Sequence, residues 1–156
     1  MKINSYIILL FALSLASCQY NTKYHSYCST STDGWHKGDT LSYEIPSNLE
    51  KGEYIIEVGI RHSGIYKYKN IWIEVANNFT DSKKIKCDSI QLILADKEGN
   101  WLGKGISGLY QKDSLLTKKF TVTNSNKAKI SVRHIMRDKN LPGIRDIGIK
   151  LIKVSN

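Results

Sequence analysis

Apolar and polar positions alternate with a period of two along most of this chain. Tyr54, Ile56, Val58 and Ile60 are separated by Ile55, Glu57 and Gly59, the pattern of a strand with one buried face. The same alternation returns at Ile71, Ile73 and Val75, and at Ile90, Leu92 and Leu94. Shorter versions pair Phe120 with Val122 and Ile130 with Val132, and a last one runs through Ile147, Ile149 and Leu151. Between them sit turn formers: Glu50-Lys51-Gly52, Asp96-Lys97-Glu98-Gly99-Asn100, Asn124-Ser125-Asn126 and Asn140-Leu141-Pro142-Gly143. Short strands punctuated this way predict an all-β domain, a two-sheet antiparallel sandwich with a jelly-roll-like order as the leading topology.

Two stretches break the alternation. Residues 6–15 form an apolar run behind Lys2, too short for a membrane-spanning helix, and it closes on Leu15-Ala16-Ser17-Cys18. That arrangement reads as a lipoprotein signal over residues 1–17, cleaved to leave Cys18 as a lipidated N-terminus. Acyl chains contribute about 0.8 kcal/mol per buried CH₂, so a multiply acylated cysteine holds a protein on a membrane. The second stretch, residues 19–33, is rich in Ser, Thr, Asn and Tyr and has no apolar period. Residues 18–33 are therefore expected to form a tether, and residues 34–156 a single domain.

Composition adds an address and a charge. Lys and Arg number 23 against 14 Asp and Glu, a formal charge of +9. The basic residues are scattered, and an exported chain meets little nucleic acid. The charge thus reads as a solvated surface, or one suited to an acidic partner or lipopolysaccharide headgroups. With Cys18 lipidated, Cys28 and Cys87 remain as a candidate disulfide. Such a bond would close a loop of about 60 residues and add roughly 4 kcal/mol in the chain-entropy model.

Catalytic chemistry finds little material. His25, His36, His62 and His134 are far apart, and no spacing places two of them on one face for a metal. Asp96 and Glu98 fall in a predicted hairpin loop, where turn formation accounts for them. The glycines of Gly99-Asn100-Trp101-Leu102-Gly103-Lys104-Gly105 lack the strand-to-helix context of a phosphate loop. No enzyme, cofactor or metal site is expected. Aromatics are the more suggestive class: Tyr66, Tyr68, Trp72 and Trp101 form a candidate interaction surface, able to anchor a protein interface or stack on sugars.

Several blocks, in order, resemble the gliding motility lipoprotein GldH family of the Bacteroidota. They are Gly34-Trp35 with Asp39, residues 54–61 running into Ile65-Tyr66-Lys67-Tyr68-Lys69-Asn70-Ile71-Trp72-Ile73, the stretch from Leu94 through Asp96-Lys97-Glu98-Gly99-Asn100-Trp101 to Gly105, and Met136-Arg137 with Leu141-Pro142-Gly143-Ile144-Arg145-Asp146-Ile147-Gly148-Ile149. The resemblance implies a non-enzymatic outer-membrane lipoprotein associated with gliding motility and type IX secretion machinery, acting through protein contacts. It implies no catalytic residue. The sequence after Cys18, Gln19-Tyr20-Asn21-Thr22-Lys23, carries no acid, which in that phylum points to a domain facing the periplasm. A carbohydrate-binding sandwich lipoprotein is the alternative reading.

Overall fold

In the computed structural model, residues 21–79, 83–123 and 128–154 are described, and the signal segment and Cys18 lie outside them. The described residues form eleven strands. The first six are β1 (Thr22–Ser29), β2 (Trp35–His36), β3 (Leu41–Glu44), β4 (Gly52–Ser63), β5 (Asn70–Asn77) and β6 (Lys86–Ile93). The remainder are β7 (Lys104–Ile106), β8 (Leu109–Val122), β9 (Lys129–His134), β10 (Asn140–Leu141) and β11 (Ile144–Lys153). One sheet runs β1-β11-β4-β8-β7 and the other β3-β9-β5-β6, with β10 and β2 joined as a short pair. Without the short strands β2, β7 and β10, the eight others run first-eighth-third-sixth in one sheet. They run second-seventh-fourth-fifth in the other, which is the jelly-roll order. All pairings are antiparallel.

The alternation does the sorting. Tyr54, Ile56, Val58 and Ile60 of β4 and Ile147, Ile149 and Leu151 of β11 are buried against Ile71, Ile73 and Val75 of β5 and Ile130 and Val132 of β9. On the flank where β1 meets β3, the sheets are tied together. The Tyr43 hydroxyl donates across the core to the Ile147 carbonyl at 2.7 Å, and burial pushes that phenol far above its usual range. Outside, the Tyr27 ring lies flat over two paired glycines, Gly148 and Gly59. A Cβ on Gly148 would meet the ring at 2.5 Å, and one on Gly59 its hydroxyl at 2.4 Å.

Two expectations are corrected. The stretch expected to be tether, residues 18–33, contains a full strand: β1 pairs with β11 from Thr22 to Ser29. Its polar sequence shows no period because β1 is an edge strand held by backbone hydrogen bonds and Tyr27, with its side chains at most half-buried. Residues 22–29 therefore belong to the folded sandwich, ahead of the expected start at residue 34. Cys28 and Cys87 are both free thiols. The Cys28 Sγ donates to the Ser42 carbonyl on β3 at 3.7 Å, whereas Cys87 lies on β6 at the opposite edge of that sheet. Three strand spacings of about 4.8 Å separate those edges, beyond the roughly 7 Å limit for a disulfide.

Candidate functional site

At the end of the sandwich away from Thr22, the loop between β6 and β7 is clasped by its own side chains. The Asp96 carboxylate accepts from the Asn100 backbone N–H at 2.7 Å and from its side-chain amide at 2.9 Å, and these bonds hold it below the usual carboxylate range. The Leu102 N–H donates to the Leu94 carbonyl at 2.8 Å. This clasp turns Trp101 inward, its ring 4.4 Å from that of His62 and edge-on to it. Tyr110 stacks on His62 at 5.6 Å, Tyr66 lies 6.1 Å away, and Tyr68 meets Tyr66 edge-on at 5.8 Å. His62 is fully buried, which lowers its basicity.

The four aromatics read from the sequence thus divide. Tyr66 is buried at 3% exposure, and its hydroxyl donates to the Asn70 carbonyl. Trp101 and Tyr68 are partly buried against the core. Trp72 alone projects outward, from β5, at 41% exposure, and no ring contact joins it to the others. The cluster around His62 is an internal seal, so as a surface for sugars or protein the set keeps only Trp72 and the rim of Tyr68. Gly143 enforces the seal: its φ is +92°, and a Cβ there would meet the Tyr66 backbone nitrogen at 2.6 Å.

With Trp101 inside, its neighbour Leu102 faces solvent and marks a different surface. Leu102 lies between two adjoining depressions on the flank where β6 faces β8. One, of about 550 Å³, is lined by Ile90, Leu92 and Ile93 of β6 and Leu115, Leu116 and Phe120 of β8. The other, of about 490 Å³, is lined by Ile106 and Leu109 of the β7–β8 hairpin with Arg61, Lys104, Gln111 and Asp113. Lys112 lines both. Eight large apolar side chains are exposed among the described residues, and five of them, Ile93, Leu102, Ile106, Leu109 and Leu115, lie here. Concentration of apolar surface on a folded domain marks a contact site.

The strands explain the opening. In the β4–β8 ladder Lys112 sits opposite buried Ile60, and Ser114 opposite buried Val58. Two inward positions are therefore polar, and the sheets part there. Further along, three residues of β8 oppose Ile56 in a bulge, after which Phe120 and Val122 close the core. Among the described residues each strand bordering the cleft has an unpaired edge: β6 pairs only with β5, and β8 pairs with β7 only at Leu109–Gln111. Free strand edges beside an apolar groove are the geometry that accepts an added strand.

A polar cluster forms the rim. The Arg61 guanidinium stacks 3.9 Å over Tyr27, and its Nε donates to the Gln111 side chain at 2.9 Å. The Tyr27 hydroxyl donates to Asp113 at 3.3 Å, and burial together with that carboxylate pushes the phenol up to about 12. Among the described residues no three His, Cys, Asp or Glu side chains converge as metal ligands. The cleft residues escaped sequence reading because their signals are local. One is the Leu115-Leu116 doublet that breaks alternation. The other is Ile106-Ser107-Gly108-Leu109, where two apolar residues flank a tight turn with positive φ at Ser107 and Gly108.

Residues 22–151 match the family model described as GldH lipoprotein. The chain is similar to a protein of Christiangramia forsetii named "Gliding motility lipoprotein GldH homolog", with 26% identity over 160 residues covering 97% of each chain. Among solved structures, an Eiger TNF from S. frugiperda aligns at 10% identity and a TM-score of 0.39, over 85% of this chain and 92% of that one. Dimeric latent PorU from Porphyromonas gingivalis aligns at 9% identity and a TM-score of 0.33, over 88% of this chain and 14% of that one.

Proposed function

Because the chain belongs to the GldH lipoprotein family, we propose that it is a docking component of gliding motility and type IX secretion machinery, working by protein contact without catalysis. Cys18 carries the lipid, and the domain stands on the outer membrane facing the periplasm, a reading supported by the absence of acids in Gln19-Tyr20-Asn21-Thr22-Lys23.

The observation that carries the docking role is the β6–β8 cleft, where two unpaired strand edges and the exposed side chains of Ile93, Leu102 and Leu115 meet. It suits an extended polypeptide segment that adds backbone hydrogen bonds to one edge and seats apolar side chains in the groove. Arg61, Lys104 and Lys112 favour acidic residues in that segment. A photo-crosslinking amino acid placed at Leu115 in the native envelope should capture a discrete envelope protein, and one placed at Trp72 should not. Equal yields from both positions, or none from Leu115, would remove the cleft from the proposal. Shaving of intact cells with protease should leave the domain uncut, and loss of the domain would refute the periplasmic orientation.

A further inference from the structure

The start of β1 limits how far the domain can move from its anchor. On the proposed reading that Cys18 is lipidated, only Gln19, Tyr20 and Asn21 separate the lipid from Thr22. Four Cα steps span at most about 14 Å, whereas the longer strands, of twelve to fourteen residues, extend about 40 Å. The end of the sandwich holding Thr22 is thus kept at the membrane.

That end is set by the register. Thr22 pairs with Ile152, Lys153 with Tyr54, and Gly52 with Val122, and the Thr123 N–H donates to the Phe79 carbonyl, which brings in the loop after β5. It is rich in lysine. Lys23 and Lys153 pair with Glu50, Lys119 with Glu53, and Lys118 with Asp88. Exposed Lys51, Lys84, Lys86 and Lys129 form no ion pair with a described residue, and Glu44 is the remaining carboxylate among the described residues of this end. Within Lys83-Lys84-Ile85-Lys86, Ile85 is 72% exposed, an apolar side chain flanked in sequence by exposed lysines. We propose that this lysine-bearing end docks directly on the anionic phospholipid headgroups of the leaflet that holds the Cys18 lipid, with Ile85 entering the interface. The domain then stands upright, its aromatic end and the mouth of the cleft directed away from the bilayer.

The native thiol of Cys87, exposed and adjacent to Lys86, provides the probe. Full-length lipidated protein carrying Cys28→Ser and labelled at Cys87 with an environment-sensitive fluorophore is placed in vesicles containing spin-labelled lipid. Quenching is expected in phosphatidylglycerol vesicles and not in pure phosphatidylcholine, while a label on S107C in a background with both Cys28→Ser and Cys87→Ser stays unquenched. Each of K84Q, K86Q and K51Q should lower the docked fraction ratio about fivefold. Acylated protein with an unquenched Cys87 label, or with quenching equal in neutral vesicles and in the lysine variants, overturns the docking inference and leaves the lipoprotein reading standing. An intact mass without acyl chains on Cys18 overturns both.

Discussion

The two long flanks of this sandwich use similar strands and reach opposite results. Where β1 meets β3, Tyr43 bridges the sheets with a hydrogen bond to Ile147, and Tyr27 covers the glycine pair outside. Where β6 faces β8, inward positions opposite Ile60 and Val58 hold Lys112 and Ser114, and the surface connection is the Lys118–Asp88 ion pair. An exposed ion pair adds little stability, commonly below about 1 kcal/mol. One flank is therefore a seam and the other a cleft, and the difference comes from a few inward side chains more than from topology.

The strongest challenge to that contrast is Tyr43→Ala. Removing a fully buried aromatic at the seam should destabilise the domain by about 3–5 kcal/mol in chemical denaturation, and a loss near 1 kcal/mol would mean the seam does not hold the sheets. Next is Gly148→Ala, expected to lower stability by roughly 1–3 kcal/mol through its clash with Tyr27. In a Tyr27→Ala background the same substitution should be nearly neutral, and persistence of the loss would place its cause elsewhere. Acid should weaken the aromatic end that both flanks share. His62, against Trp101 and Tyr110, and His134, against Trp35, are buried, and burial lowers the affinity of each for a proton. The unfolded chain binds protons below about pH 6.5 more readily, so stability falls as pH drops from there toward the folded values. H62Q should reduce that slope, which a pH series of denaturation midpoints measures. The smallest stability change is expected for Leu115→Ser, within about 0.5 kcal/mol, yet crosslinking from a probe at Ile93 should drop at least tenfold.

Much of the fold was legible. Every alternating segment from Tyr54 to Leu151 falls on an observed strand apart from Leu94, one residue beyond β6, because burying one face leaves a period of two in the residues. β1 left no such mark, since Thr22 to Ser29 are held by pairing at an edge and bury little apolar surface. The site was less legible. Trp101 and Tyr66 advertise a surface by residue type, but the Asp96–Asn100 clasp and Gly143 turn them inward, and neither rotation shows in composition. The blocks that carried the family resemblance are chiefly structural. Trp35 and His36 pair with Leu141 and Asn140, and a Cβ on Gly34 would meet the Leu141 carbonyl oxygen at 2.7 Å. Cleft residues such as Ile93 and Leu115 carry no special chemistry and emerge only when the sheets are assembled.

The pairing of β1 with β11 also determines how the domain bears force. On the proposed anchoring, a pull between a lipid at Cys18 and a partner held near the aromatic end would enter β1 at Thr22 and run along its length. The backbone hydrogen bonds from Thr22 to Ser29 lie across that direction, so they are loaded together in shear and do not peel one at a time. Mounted this way, the strand that the sequence presents as slack is the part built to stay attached under tension.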